Sequence, residues 1–406
     1  MSDIPAFRLR TPASEAEEAE LASVMAGSFG FAVEEAEPWF DMAGRENLRV
    51  WANGVAATSA EDVLGGLISV PMGQYFGGRS VPMLGLAGVA LRLERRRQGH
   101  ASRMLVALLR EGRDRGFALS TLYASTVELY RSLGYEQAGS RFKGTIRADR
   151  LAASIPLGAG EGMAVRRLDA ADAPAMEQLY ADCAASMDGH LDRGSYVWGR
   201  IRKKRKERVA YLYGAVDAHG KLTGYVAFRH APDFPDYRII VLDFIAADLD
   251  SAWRLWRVLA DQASVASTVH LCSAPAHWLK LMLPNEALKL TLANNWMVRL
   301  LDVGRAFETR GFSPAHEAEL PIELVDPLIP ENDGRFMLRL AGGQAGWDRG
   351  GPGTVQTSVQ SLAAMYTGFV SVSMAERLGW IEGPRWALKL LETILAGPAP
   401  WMPDMF

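Results

Sequence analysis

The stretch RRRQGHASRML (95–105) stands between a β-rich run and a helix, and its reading decides the fold of everything around it. Gly99 lets the backbone turn tightly, and a helix starting there presents N–H groups that have no intrahelical acceptor. Free donors, the positive end of a helix dipole and nearby arginine side chains together suit a pyrophosphate. The spacing Arg96-x-x-Gly99-x-Ala101 fits that use. A basic cap on an ordinary helix fits the same residues, so the pattern alone leaves both readings open. The helix itself is well marked: Met104, Leu105, Leu108 and Leu109 make one apolar face, and Gly116 ends it.

Working outward, the chain repeats a plan. FRLRTPASEAEEAELASVMAGS (7–28) reads as a short strand, a Thr/Ser cap and an amphipathic helix. AVRRLDAADAPAMEQLYADCAAS (164–186) reads the same way, with Asp169 as the cap. Two alternating strands then flank a turn at Asp217 to Gly220. Each copy goes on to a longer strand and another helix, which predicts two α/β units of related plan. From about Asn295 the pattern changes. A strand and helix, a hairpin around ENDG (331–334) and two or more helices predict a smaller α+β unit that runs to an apolar end, PAPWMPDMF (398–406).

The bulk properties allow this and narrow the function. A chain of 406 residues is too long for one ordinary core. With 49% apolar and 22% charged residues its composition is globular, and a net charge of −3 gives no case for nucleic acid or an anionic membrane as partner. No stretch approaches the roughly 18 apolar residues of a membrane span. Cys183 and Cys272 read as reduced core thiols in a cytoplasmic protein, and the seven histidines show no metal-ligand spacing. The basic run RKKRKER (202–208) is short and isolated, and reads as a solvated helix face or a subunit contact.

A second stretch joins the first. LSTLYASTVELYRSLGYEQAG (119–139) reads as strand, helix and the opening of another strand. An R/Q-x-x-G-x-G/A loop followed by LYxxLGF/Y resembles the GCN5-related N-acetyltransferase family. Two such units and a sterol-carrier-protein-like domain ending in Phe resemble its enhanced intracellular survival branch over essentially the whole chain. The resemblance implies tandem units in mixed α/β and α+β architecture: a catalytic unit at 1–155, a second unit at 156–294 and the sterol-carrier-like domain at 295–406. It also implies acetyl-CoA as cosubstrate, a small-molecule amine as acceptor, no metal, and a homo-oligomer, typically a hexamer. In the second unit FIAADLDSAWRLW (244–256) stands in place of the phosphate loop, and Asp248 and Asp250 would repel a pyrophosphate. That unit is expected to serve as scaffold or pocket wall.

Carried over residue by residue, the resemblance gives Val89, Ala90 and Leu91 to the pantetheine arm. It gives Arg97, Gln98, Gly99, His100, Ala101 and Ser102 to the pyrophosphate, with Arg96 as a further contact, and Ser125 and Thr126 to the cofactor after the next strand. Tyr130 takes the role of the acid that protonates the leaving thiolate, while Tyr135 reads as core. The α-carboxylate of Phe406 is the implied base. An acid of pKa ~3.5 facing an ammonium of ~10.4 lies on the order of 9 kcal/mol from direct proton transfer, so a water relay or an anchor for the ammonium stays open beside it. Phe29, Phe31, Trp39, Phe40 and Met405 are candidates for the acceptor pocket, with core packing as the other reading for the four aromatics. Phe31 and Met405 stand where polyamine-acetylating members carry acids, which points to an acceptor more apolar than an aminoglycoside. Glu34, Glu35 and Glu37 either compensate or form a solvated loop. An apolar-ligand-binding protein with vestigial transferase units and a protein-lysine acetyltransferase are the competing readings.

Overall fold

The computed structural model describes residues 7–54, 62–202, 209–233, 236–276, 278–283 and 287–406. Most of the basic run, residues 203–208, lies outside them. The chain builds one 13-stranded sheet and a separate five-stranded sheet.

The first half of the large sheet is a meander, Phe7–Arg10, Leu48–Asn53, Val63–Phe76 and Arg79–Leu91, continued by Leu119–Leu122, which lies parallel to Arg79–Leu91. The other half repeats it: Ala164–Arg167, Tyr211–Val216, Leu222–Asp233 and Asp236–Ala246 lead to Thr268–Ser273, parallel to Asp236–Ala246. Antiparallel hairpins in each half follow from short connections, and the one parallel step in each follows from the helix that crosses over it. These helices are His100–Asp114 and Leu249–Ala260. In the first helix Met104, Leu105, Leu108 and Leu109 are the buried face, as their spacing predicts.

The two halves are stitched at the centre. Strand Glu136–Arg147 pairs with Thr268–Ser273 on one side and with Lys289–Leu300 on the other. Lys289–Leu300 also pairs with Leu119–Leu122, so a segment late in the chain fills the middle of the first unit's sheet. Residues 295–300, read from sequence as the start of the third part, therefore belong to the long sheet.

The small sheet runs in the order Gln344–Arg349, Gly334–Ala341, Ala318–Val325, Val355–Ser358 and Ile381–Glu382. Its hairpin places Leu324 opposite Gly334, where ENDG was read as a turn. Arg299 and Asp326, both fully buried, join the two sheets through two bonds of 2.7 Å. Gln360 adds a 2.8 Å bond to the buried Glu136. A buried pair like Arg299–Asp326 adds little net stability, because desolvation offsets most of its attraction.

Candidate active site

Strands Arg79–Leu91 and Leu119–Leu122 stay paired from Met83 opposite Leu119 to Leu86 opposite Leu122, and no further. Just beyond that point Arg79–Leu91 bulges. Gly66 faces Ala90 and Ile68 faces Ala87, so one residue more is spent on the bulged strand. A bulge bends a strand and raises its twist, which opens the two parallel strands into a cleft. Gly88 makes the bend at φ +62°, and a Cβ there would come within 2.9 Å of the Trp39 ring. Val89, Ala90 and Leu91 lie along this opening, with Val89 half-buried and the other two buried.

At the end of the bulged strand the chain makes a loop and enters the helix His100–Asp114. Gly99 caps the helix at φ +77° with no side-chain hydrogen bond, and Arg97 is held at φ +59°. Arg97 is the one non-glycine residue with positive φ among those described. A left-handed arginine costs of order 1 kcal/mol, and such strain marks a loop shaped by more than local preference. Arg96, Arg97, Gln98 and Gly99 are exposed. The first helical N–H groups, His100, Ala101 and Ser102, have no backbone partner among the described residues, so they form an anion site as built. The Arg96 side chain folds back to the Leu91 carbonyl and to Ser28 Oγ.

His100 contributes only its N–H to that site. Its ring is buried, accepts a 3.1 Å bond from Trp51 Nε1 and lies edge-on to Phe7. Burial, with Arg103 and Arg95 adding to it, lowers its pKa, so the ring is neutral near pH 7.

After Leu119–Leu122 come the exposed Ser125 and Thr126, and then the short helix Val127–Arg131 that carries Tyr130. Tyr130 is 5% exposed, edge-on to Tyr135, and its phenol is pushed up to about 12 by burial. Tyr135 is fully buried and shares a 2.7 Å bond with Ser120, which is the core role read from the sequence.

The chain's last residues cross from the third unit to this region. The tail leaves helix Arg385–Leu395 and takes over as neighbour of strand Glu136–Arg147 where Thr268–Ser273 stops. Ser140 N–H donates to Pro400 and Met402 N–H donates back to Ser140. Arg141 holds the Pro403 carbonyl at 3.0 Å. The carboxylate of Asp404 is gripped by Arg193 through bonds of 2.8 and 3.0 Å, and Arg193 also holds Asp243. The Arg193 side chain has no exposure and lies 3.6 Å over the Tyr180 ring. Tyr123, next after strand Leu119–Leu122, donates a 2.7 Å bond to the Asp404 carbonyl and faces the Phe406 ring at 6.0 Å. Phe406 is buried, and a Cβ on Gly85 would approach its ring within 2.9 Å. The chain end therefore sits on the bulged strand, three residues before the bend at Gly88.

The pocket candidates divide. Phe31 stacks edge-on against Trp39, and Trp39 donates a 2.8 Å bond to Tyr196 of the second unit while covering Gly88. Phe29 ends helix Glu15–Phe29 half-exposed, and no contact brings it to the cleft. Met405 is largely exposed beside the buried Phe406. Glu34, Glu35 and Glu37 are exposed, and Glu37 is paired with Arg45. Tyr123, Arg193 and Asp404 were not singled out in the sequence. The one usable signal was a lone acid inside the apolar run PAPWMPDMF.

The second unit repeats the cleft without the anion site. Pairing between its parallel strands ends at Ile240 opposite His270, and a bulge follows at Leu242. The helix after it is capped by Asp248, whose carboxylate accepts from Ser251 N–H, and Asp250 lies in the first turn. One of the donors is taken by the cap and the local charge is reversed.

Comparison with known proteins agrees with this geometry. Residues 10–138 and 189–300 each match the acetyltransferase (GNAT) domain family, and residues 303–403 match the sterol carrier protein domain family. A GCN5-related N-acetyltransferase structure from Anabaena variabilis superimposes with a TM-score of 0.92 at 29% identity, covering 98% of this chain and 100% of that one. An uncharacterized N-acetyltransferase of Streptomyces avermitilis is 27% identical over 402 residues, 94% of each chain. N-acetyltransferase Eis of Mycobacterium tuberculosis is 28% identical over 273 residues, 65% of each. Two GNAT domains over 10–138 and 189–300 make the chain a GCN5-related N-acetyltransferase, similar to the Eis proteins. It is thus an acetyltransferase, and the family implies acetyl-CoA as the donor and an acyl acceptor as the second substrate.

Proposed function

We propose that the first unit transfers acetyl from acetyl-CoA to a primary amine of a small, largely apolar molecule by direct attack. The tail carries this reading: Phe406 lies on Gly85, at the cleft whose far end has an open helix N-terminus. The pyrophosphate would sit on the N–H groups of the 97–102 loop, with Arg96 and Arg97 supplying positive charge. The pantetheine arm would run along Val89, Ala90 and Leu91, past Ser125 and Thr126. Tyr130 would give its proton to the departing thiolate. Its high pKa keeps it protonated at neutral pH, and an apolar surrounding raises the thiol's pKa as well, which narrows the gap between them. The Phe406 carboxylate would orient the ammonium or take its proton through water.

Phe31, Trp39 and Met405 favour an apolar or aromatic amine, and the pairing of Glu37 with Arg45 leaves less acid for a polycation. A cytoplasmic setting and a homo-oligomer, hexameric by resemblance, belong to the same proposal. The test is thiol release from acetyl-CoA across a panel of amines, using the full chain, Tyr130→Phe and a chain lacking Phe406. Aromatic amines should turn over faster than aminoglycosides. Tyr130→Phe should lower kcat by about 100-fold, the scale of general acid catalysis. Equal turnover of both amine classes would sink the acceptor assignment, and full activity without Phe406 would sink the role of the tail.

A further inference from the structure

The second unit's cleft has not closed. Between strands Asp236–Ala246 and Thr268–Ser273, and against helix Ala173–Ala184, lies a cavity of about 940 Å³. Pockets that hold drug-sized ligands run to roughly 300–1,000 Å³, so this one has room for a whole small molecule. We propose that it is a second ligand site, separate from the transferase cleft, for an uncharged and largely apolar small molecule.

Two observations fix that chemistry. The walls are mainly apolar, and they include Phe244, Trp256 and Trp278 of the second unit and Pro398, Trp401 and Pro403 of the tail. Trp256 is fully buried and stacked on Phe244 at 4.3 Å, so it stiffens the wall from behind. An anionic ligand such as coenzyme A is excluded at the neighbouring helix, because Asp248 already caps it and Asp250 adds a second negative charge. The separation from the first cleft follows from the sheet order. Strands Leu119–Leu122, Lys289–Leu300, Glu136–Arg147 and Thr268–Ser273 lie between the two openings, and the tail borders both, with Pro403 at the cavity and Phe406 at the first cleft.

The site carries its own reporters. The chain has two cysteines, Cys183 and Cys272, and both line the cavity. Burial pushes both thiols up, so they react slowly and an occupant shields them further.

The probe is prodan, an uncharged naphthalene with a carbonyl acceptor, titrated into the full chain with and without saturating coenzyme A. The expected result is saturable, blue-shifted emission that coenzyme A changes by less than about twofold. Prodan should slow N-ethylmaleimide modification of Cys183 or Cys272 at least fivefold by mass spectrometry. Ala274→Phe, which fills the cavity, should weaken binding at least tenfold. Ala276→Trp narrows it from an exposed position and keeps the test open should the buried substitution not fold. Absence of saturable binding, displacement by coenzyme A, neither thiol protected, or affinity unchanged in both folded variants would each overturn the proposal. None of these readouts depends on acetyl transfer, so failure here and failure of the proposed reaction are told apart.

Discussion

The two transferase-like units differ most where they are built most alike. Each has a parallel strand pair that stops pairing, a bulge two to three residues later, and a helix beyond it. In the first unit the helix opens at His100, 14 residues after the last pair at Leu86; in the second it opens at Leu249, 9 residues after Ile240. The missing length is the phosphate loop. What remains is a helix N-terminus capped by its own aspartate, with a second acid in its first turn. The short helices that follow diverge too. Tyr130, fourth in Val127–Arg131, is buried, whereas Leu281, fourth in Trp278–Met282, is 73% exposed. The fold supplies a cleft in both units, and loop length and capping decide whether an anion can use it.

The strongest challenge to this division is the tail, which belongs to both units at once. Arg193 of the second unit holds Asp404, and two residues later Phe406 lies on the first unit's bulged strand. Arg193→Met would leave the carboxylates of Asp404 and Asp243 buried together without a cation. A loss of about 3–5 kcal/mol is expected, as for other broken buried pairs. Urea unfolding of the full chain measures it. A loss under about 1 kcal/mol would mean that the tail is held chiefly by its apolar contacts, and that the two units are coupled less tightly than the hydrogen bonds suggest.

Making the first anion site resemble the second comes next. Ala101→Glu puts a carboxylate in the first turn of helix His100–Asp114, where Asp250 stands in the other unit. Acetyl-CoA affinity should fall about 100-fold, close to 2.8 kcal/mol at 1.4 kcal/mol per decade. Calorimetric titration reads this directly. An unchanged Kd would remove the pyrophosphate from this loop.

These contrasts also show what a sequence can carry. The loop at 95–101 and the LYRSLGY stretch were legible because their chemistry is local: a glycine, a helix start and basic side chains within a few positions. The apolar face of His100–Asp114 was legible for the same reason. The insertion of Lys289–Leu300 between Leu119–Leu122 and Glu136–Arg147 was not, because strand pairing across so many residues leaves no local mark. The Arg193–Asp404 pair spans 211 positions, and either residue alone reads as a surface charge. The inward turn of the His100 ring was hidden likewise, since its partners Trp51 and Phe7 come from other strands. The cavity of the second unit comes from strands that part, which no periodicity records.

The bulges offer a finer test, because the two units bend by different means. Gly88 needs φ +62° and contact with Trp39, while Leu242 bends with no positive φ. Gly88→Ala should cost about 1–2 kcal/mol from the left-handed backbone alone, with Trp39 displaced in addition. Leu242→Gly should cost about 0.5–1 kcal/mol more than Leu242→Ala through chain entropy, a comparison that leaves only the backbone to change. Equal small losses, read by thermal unfolding, would show that Gly88 is not what shapes the first cleft.

The smallest expected effect is a flat line. Burial raises Tyr130 to about 12, so in the folded protein it keeps its proton well past the ordinary tyrosine value of about 10. An acid that must be protonated to act loses activity as pH rises through its pKa. With an aromatic amine that is already neutral, kcat should therefore stay level from about pH 7 to 10. A falling limb inside that window would mean that Tyr130 is more solvated during turnover than its burial implies, or that a group of lower pKa protonates the thiolate. Repeating the profile with Tyr130→Phe separates the two. A limb that persists in the variant belongs to another group, and one that vanishes belongs to Tyr130 itself.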